Sequence, residues 1–308
     1  MKNFRISIPA TSANLGPAFD SAGIALDFYL TLEVRKAESW SIKNRSDFLP
    51  DHIPYKENII YQVAERTANQ YGRALPPCEI TVFSDIPLAR GFGSSASAVL
   101  AGIEVANQMC NLSLTKEQKL LLGTIEEGHP DNIAPALLGG FTVTAQIEKE
   151  QVKWTKLPVP VLDVVGYIPN FELKTEDARN VLPDSFTRQE AITASSVSNM
   201  MLSFFLTGDM RQAGDMMEQD LLHEPYRAKL LPLYPDIKQK ARQFGAFGTV
   251  ISGAGPSMIS FAPEGTGLNI AGKMAEELPD YRVVHLKIDP DGLKVIEMKD
   301  VKEETAAE

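Results

Sequence analysis

The stretch PLARGFGSSASAVLAGIEVANQ, from Pro87 to Gln108, joins a glycine- and serine-rich loop to a long helix with an apolar face. Gly91 and Gly93 allow the backbone to turn and to approach a ligand closely, and small side chains follow them as far as Ala98. A helix N-terminus carries unpaired N–H groups and a partial positive charge. An uncrowded glycine loop at that position favours an anion, so we expect this stretch to bind a phosphate chain.

Other common interpretations of a glycine-rich loop fit less well. A Walker-type loop requires Lys and then Ser or Thr after its last glycine, and neither follows Gly93 in that order. The dinucleotide fingerprint requires a strand just before its first glycine, whereas the run CEITVF ends at Phe83. The hydrolase elbow Gly-x-Ser-x-Gly is absent. A flexible loop with a serine helix cap stays open as the simple alternative.

Composition excludes several classes of protein. The 308 residues suffice for two ordinary domains, with 44% hydrophobic and 23% charged residues. The net charge of −10 argues against nucleic acid as a partner, and no run reaches the ~20 apolar residues of a membrane span. Cys78 and Cys110 are too few for a disulfide framework, and the N-terminus lacks an apolar signal segment. We therefore expect a cytoplasmic protein.

Alternating apolar residues predict strands at Phe4–Ile8 and after Leu26, in LDFYLTLEV. The loop between them, PATSANLGPAFDSAGI, contains Asn14 and Asp20 as its strongly polar groups, which turn chemistry alone could explain.

Capping signals predict three helices. They begin after Asn58, Thr115 and Thr187, and Gly72 and Gly128 end the first two.

The second half of the chain begins, by prediction, where Pro158 and Pro160 interrupt the pattern. We therefore divide the chain into domains 1–157 and 158–308. Within the second, GTVISGAGPSMISFAP predicts strand, glycine turn and strand. The segment GLNIAGKM matches most of a Walker loop, but Met274 stands where a Mg²⁺-binding Ser or Thr is required. We therefore interpret this segment as part of a helix that does not bind a nucleotide.

The central loop PLARGFGSSAS resembles a motif of the kinase superfamily named for galactokinase, homoserine kinase, mevalonate kinase and phosphomevalonate kinase (GHMP). That motif reads Pro-x-x-x-Gly-Leu-Gly-Ser-Ser-x-Ala/Ser, and Phe92 replaces the usual leucine. The segment from Gly248 to Ser257 resembles the superfamily's third motif.

Three further segments resemble the homoserine kinases in particular. Pro9 to Asp20 matches their first motif except at Ala18, and the Pro-Gly-Lys pattern of mevalonate kinases is absent there. EGHPDNIAPALLGG matches from Glu127 to Gly140. TEDARNVLP and HEPYR carry Arg179 and Arg227 in similar contexts, and His223 in the latter is interpreted as a packing residue.

The resemblance implies an α+β fold of two domains, each a sheet packed with helices, with the active site in the cleft between them. It further implies transfer of the γ-phosphoryl group of ATP to the hydroxyl of L-homoserine, in threonine biosynthesis, with Mg²⁺. Whether the protein forms a homodimer is left open. Two alternative functions also stay open, which are a kinase for another small alcohol and a non-catalytic metabolite sensor on the same fold.

The resemblance also assigns roles to residues. Ser95 and Glu127 would hold Mg²⁺, with Glu126 as the substitute. Asn14, Asp131 and Asn132 would be catalytic, and Asp131 is the carboxylate of its motif that has no proposed metal role. Arg179 and Arg227 would bind the substrate carboxylate. The full substrate set is Asn14, Asp20, His129, Asn132, Arg179 and Arg227. The full ATP-binding set is Pro87, Leu88, Ala89, Arg90, Gly91, Phe92, Gly93, Ser94, Ser95, Ala96 and Ser97.

Overall fold

A computed structural model describes residues 3–46, 53–148, 150–158 and 161–298. Pro160, used above for the domain boundary, lies outside these residues. The described strands are β1 (Phe4–Ala13), β2 (Ala22–Lys36), β3 (Ser41–Asn44), β4 (Cys78–Ser84), β5 (Phe141–Glu148), β6 (Gln151–Leu157), β7 (Leu162–Pro169), β8 (Gly248–Ile251), β9 (Met258–Pro263), β10 (Tyr281–Leu286) and β11 (Lys294–Glu297).

The α-helices come mostly in two groups, one after β4 and a longer one between β7 and β8. They are α1 (Ile59–Gln70), α2 (Ser94–Met109), α3 (Lys116–Glu127), α4 (Ile133–Leu138), α5 (Thr175–Asn180), α6 (Arg188–Thr207), α7 (Met210–Met217), α8 (Glu224–Arg227), α9 (Tyr234–Gln243) and α10 (Gly267–Glu277).

The first sheet has the order β11-β1-β2-β4-β3, and a β5–β6 hairpin joins it through β2. The long strand β2 pairs with β1 on one side, and on the other with β4 along its second half and with β5 at its start. Helices α1 to α4 cover the sheet, and α2 packs against β1 and β2. This packing fixes the start of α2 beside the end of β1.

The second sheet is antiparallel, with the order β10-β7-β9-β8. One of its faces packs on α9 and α10 in a separate apolar cluster. The other face shares the main apolar core with the first sheet. Phe205 of α6 connects the two sheets, because its ring packs edge-on against Phe141 of β5 and Phe261 of β9. The expected α+β architecture of two sheets, each packed with helices, is confirmed.

The predicted helix caps are confirmed. Asn58 accepts from the N–H of Ile60, and both Thr115 and Thr187 form complete capping boxes. Gly128 ends α3 in the left-handed conformation. GLNIAGKM lies within α10 and forms no phosphate loop.

The structure adds two stretches of strand that the sequence did not predict. The first strand continues past Ile8 to Ala13, because a bulge between Pro9 and Ala10 keeps it paired with β2 despite the proline. Residues 151–157, where the pattern loses its periodicity, form β6, whose side chains are mostly exposed on both faces and therefore show no alternation.

Candidate active site

A cavity of about 290 Å³ lies where the two halves of the chain meet. From the first half it is lined by Asn14, Asp20, Ala89, Gly91, Gly93, Ser94, Ser95, Glu126, Glu127, His129, Asp131 and Asn132, and from the second by Leu173, Thr175, Arg179, Arg227, Gly253, Ala254 and Gly255. Every residue predicted to bind substrate or metal, or to be catalytic, is therefore brought to one cavity.

The glycine loop enters α2 without a side-chain cap. Gly93 occupies the N-cap position in the left-handed conformation, with φ of 66°, and its hydrogen atoms face Thr11. A Cβ at Gly93 would lie 2.0 Å from the Thr11 hydroxyl, and one at Gly91 would lie 2.2 Å from the Ser252 carbonyl. The first N–H groups of α2 are thus left to an anion, as the sequence predicts.

Ser95 and Glu127 are neighbours across this loop. The Ser95 hydroxyl donates to Oε1 of Glu127 at 2.5 Å. Glu126 also borders the cavity, but both its carboxylate oxygens accept from Arg66, at 3.0 and 2.5 Å. Adjacent residues on a helix differ by about 100° in direction, so only one of the two carboxylates can face the serine.

A hydroxyl and a carboxylate oxygen at this spacing, beside an anion cradle, are the donor types that Mg²⁺ prefers. The residues present therefore fit a magnesium ion bound together with a polyphosphate. Glu127 fits the site better than Glu126, whose carboxylate is already neutralised by Arg66.

Asn14 organises the first loop from a buried position with a positive φ of 71°. Its side-chain oxygen accepts from the N–H of Asp20, and its side-chain nitrogen donates to the Gly253 carbonyl at 3.0 Å. Asn14 thus ties together two segments that lie 239 residues apart. The segment Gly253–Gly255 belongs to the recognised third motif, but no sequence signal predicts this contact.

Asp20 and Arg179 form a two-bond ion pair, with nitrogen–oxygen distances of 2.8 and 3.3 Å. Each side chain is more than one-third exposed, so both can exchange this pair for a ligand.

His129 lies beside Asp20. When its Nδ1 carries a proton, this nitrogen donates to Oδ1 of Asp131 at 2.6 Å. Burial opposes the charged imidazole, but the hydrogen bond and charge of Asp131, helped by Asp20, raise the pKa of His129 above its ordinary value. Asn132 accepts from the Thr11 hydroxyl at 2.7 Å, which fixes its amide beside Gly93. These groups surround one side of the cavity with carboxylate and amide oxygens.

Arg227 lies at the base of the cavity and is 1% exposed. Its Nε donates to the Ala178 carbonyl, and its Nη1 donates to the Gly253 carbonyl and to Nδ1 of His223, all at 3.1 Å. Burial and the nearby charge of Arg179 lower the pKa of Arg227 to about 10, which leaves it charged at neutral pH.

Several predicted ATP-binding residues lie away from the cavity. Arg90 turns toward the end of β7, where it donates to the Pro169 and Asn170 carbonyls and pairs with Glu172. Pro87 and Leu88 line a neighbouring depression with Arg90. Phe92, Ala96 and Ser97 are buried beneath the loop. The direct lining of the cavity by this loop is limited to Ala89, Gly91, Gly93, Ser94 and Ser95.

No helix in the described ranges is both long and apolar enough to cross a bilayer.

Comparison with known proteins gives a consistent assignment. A family model for the GHMP kinases N terminal domain matches residues 58–140, and one for the GHMP kinases C terminal matches residues 201–280. The chain is 46% identical to the homoserine kinase of Oceanobacillus iheyensis over 299 residues, which cover 96% of this chain and 100% of that relative. It is 41% identical to the homoserine kinase of Bacillus licheniformis, with 97% of each chain covered. The crystal structure of homoserine kinase from Cytophaga hutchinsonii superposes with a TM-score of 0.83 at 28% identity, covering 96% of this chain and 98% of that one.

Proposed function

The chain belongs to the homoserine kinases of the GHMP kinase family, and from this premise we propose that its cleft transfers the γ-phosphoryl group of ATP to the hydroxyl of L-homoserine. The product is O-phospho-L-homoserine, an intermediate of threonine biosynthesis. The reaction class is that of an ATP-dependent small-molecule kinase.

One observation carries the choice of substrate. Asp20 and the pair Arg179 and Arg227 line the same small cavity, directly beside the anion-binding start of α2. A carboxylate next to two guanidinium groups complements the ammonium and carboxylate of an amino acid, and the glycine loop places a phosphate within the same volume. A neutral alcohol or a sugar would leave the buried charge of Arg227 without a counter-ion, because Asp20 is paired with Arg179.

The residues would act chiefly by positioning, because phosphoryl transfer depends on alignment and charge stabilisation more than on covalent help. Arg179 and Arg227 bind the carboxylate, and Asp20 accepts from the ammonium group. His129, paired with Asp131, and Asn132 orient the acceptor hydroxyl. The amide of Asn14 holds the loop that carries Asp20 against the Gly253 segment. Asp131 makes one side of the cavity negative, and its carboxylate would receive the proton that leaves the hydroxyl.

ATP and Mg²⁺ complete the proposed site. The backbone N–H groups at the start of α2 bind the phosphates, and Ser95 and Glu127 hold the ion. Bound magnesium supplies charge neutralisation for the phosphates during transfer.

Coupled ADP-release assays with L-homoserine, mevalonate, galactose or no acceptor test the proposal. We expect magnesium-dependent ADP release with L-homoserine alone. Release with mevalonate or galactose in its place would reassign the substrate, and binding of nucleotide without any release would indicate a sensor.

The division into domains 1–157 and 158–308, the homodimer and the cytoplasmic location stay our predictions. Size-exclusion chromatography with light scattering tests the homodimer directly.

A further inference from the structure

Phe19 lies against both arginines of the cavity. The guanidinium carbon of Arg227 is 5.3 Å from the centroid of the Phe19 ring, and that of Arg179 is 5.8 Å away. Both distances are within the range of cation–π attraction. The ring of His223 also stacks on Phe19, with centroids 5.1 Å apart and planes 22° apart. A single phenyl ring thus contacts both groups that we assign to the substrate carboxylate.

These two cations need support when no substrate is bound. Arg179 is neutralised by Asp20, whereas the hydrogen bonds of Arg227 go to two backbone carbonyls and to His223. In the described part of the chain, Arg227 forms no ion pair within 4 Å. Its charge is therefore available to a ligand carboxylate, and the ring of Phe19 lies within cation–π distance of both guanidinium groups.

His223 anchors Phe19 through a defined tautomer. An arginine nitrogen only donates, so Nδ1 of His223 accepts from Arg227, and its other nitrogen, Nε2, donates to the Gly16 carbonyl at 2.9 Å. Burial lowers the pKa of His223 to about 4, which keeps the ring neutral at neutral pH. Gly16 and Phe19 belong to the same loop, so this histidine joins the loop to the arginine.

We propose that Phe19 is a positioning residue that holds Arg179 and Arg227 near each other for one substrate carboxylate, with the stacked ring of His223 fixing its orientation. This inference rests on the proposed function, because it concerns the same carboxylate. It assigns the selectivity for an amino acid partly to a side chain that makes no hydrogen bond.

The test compares Phe19→Leu and Phe19→Tyr with the wild type in steady-state assays. The leucine variant loses the aromatic face, so we expect its KM for L-homoserine to rise about tenfold, equivalent to about 1.4 kcal/mol, with kcat and the KM for ATP changed less than about twofold. The tyrosine variant retains the aromatic face and should stay within about threefold of wild type. Phe186→Leu is the matched control, because Phe186 packs on Tyr226, next to Arg227 in sequence, whereas the cation–π pairs of Arg179 and Arg227 are with Phe19.

A second readout separates positioning from general damage. The compound 3-amino-1-propanol has the hydroxyl and amine of homoserine but no carboxylate, and its inhibition constant against homoserine should be the same in wild type and Phe19→Leu. A distorted cavity would weaken the binding of both compounds. Phe19→Met, whose unbranched and flexible side chain can adapt to the space left by the ring, replaces the leucine variant if thermal unfolding shows that the latter does not fold.

An unchanged KM for homoserine in both the leucine and methionine variants would overturn the inference while leaving the proposed function intact. Equal loss of homoserine and 3-amino-1-propanol binding would also overturn it. A wild-type enzyme that does not phosphorylate homoserine would instead refute the proposed function, and the inference with it.

Discussion

The two sides of the cleft are built from different parts of the polypeptide. The phosphate side consists of glycine backbone at the start of α2, with the exposed hydroxyl of Ser95 beside Glu127. The substrate side consists of side chains, which include the buried Arg227 and Asn14, 1% and 3% exposed, and the half-exposed pair of Asp20 and Arg179. A site made of backbone depends on the absence of side chains, whereas a site made of side chains depends on their exact donors and acceptors. Substitutions on the two sides should therefore fail in different ways.

Gly93→Ala should have the largest effect. The added Cβ would lie 2.0 Å from the Thr11 hydroxyl, and the alanine would have to adopt a φ of 66°. We expect kcat/KM to fall by roughly 100-fold or more, since displacement of the loop removes preorganised donors to the phosphates.

Gly72→Ala is the matched control for this change. Gly72 has a similar φ of 64°, but nothing lies within 4 Å of its added Cβ. The control should lose about 1 kcal/mol of unfolding free energy and retain its activity. Similar activity in the two alanine variants would show that the phosphate side does not depend on close backbone approach.

Glu127→Gln should follow in magnitude. Loss of a charged oxygen ligand should raise the Mg²⁺ concentration needed for half-maximal activity. Changes in the residues around metal ligands raise it roughly 10- to 100-fold, and we expect at least this effect here, with a lower kcat at low Mg²⁺. Glu126→Gln breaks the pair with Arg66 instead and should leave the magnesium dependence unchanged. Titration of activity against Mg²⁺ distinguishes the two, and a larger shift in the Glu126 variant would reverse the assignment.

Arg179→Ala and Arg227→Ala should each raise the KM for homoserine about ten- to a hundredfold while sparing ATP. Their stabilities should differ. Arg179 is part of a half-exposed ion pair worth under about 1 kcal/mol, whereas removal of Arg227 takes the donor away from the Ala178 carbonyl and from Nδ1 of His223. Thermal unfolding should therefore detect a clear loss only for Arg227→Ala. Full activity of both variants would remove the main reason for an amino-acid substrate.

Glu224→Gln should have the smallest effect, seen only in the pH dependence of stability. Glu224 is buried beneath the substrate side, where it accepts from Tyr234 and from the N–H of Ile251. Burial raises the pKa of Glu224 from 4.5 to about 8. A carboxyl group whose pKa is raised by folding stabilises the native state fully below its unfolded pKa and loses this contribution as pH rises through its folded pKa.

The difference in unfolding free energy between variant and wild type should consequently shift in favour of Glu224→Gln between about pH 4.5 and 8. Urea unfolding at a series of pH values measures this difference. A difference that is constant across that window would contradict the raised pKa.

Local signals made much of the fold predictable. The capping boxes at Thr115 and Thr187 and the left-handed glycine at 128 need only three or four neighbouring residues, so their sequence pattern determines them. The cavity residues were predictable only as a set of motifs. The pairs that shape it, such as Asn14 with Gly253 and Asp20 with Arg179, join segments 239 and 159 residues apart. No local pattern encodes such pairs.

The same distinction explains particular outcomes. The sequence could not separate Glu126 from Glu127, because the direction of each side chain depends on how α3 packs against α2 and α4. The orientation of the Arg90 side chain could not be predicted from its motif either, since its partners are carbonyls at the end of β7. Polar groups whose partners come from distant segments are therefore the part of a site for which a structure is required.

The pairing of β11 with β1 has a consequence for how the chain is made. Phe4 lies opposite Glu297 and Ser7 opposite Lys294, so strands from near the two ends of the sequence are neighbours in the first sheet. A ribosome that has already produced the phosphate loop and both arginines has not yet produced the strand that covers β1. Until residues 294–297 emerge, β1 presents an open edge to other nascent chains, and such edges are sites of wrong pairing. The pairing of β1 on this side is therefore completed only after residues 294–297 have been synthesised.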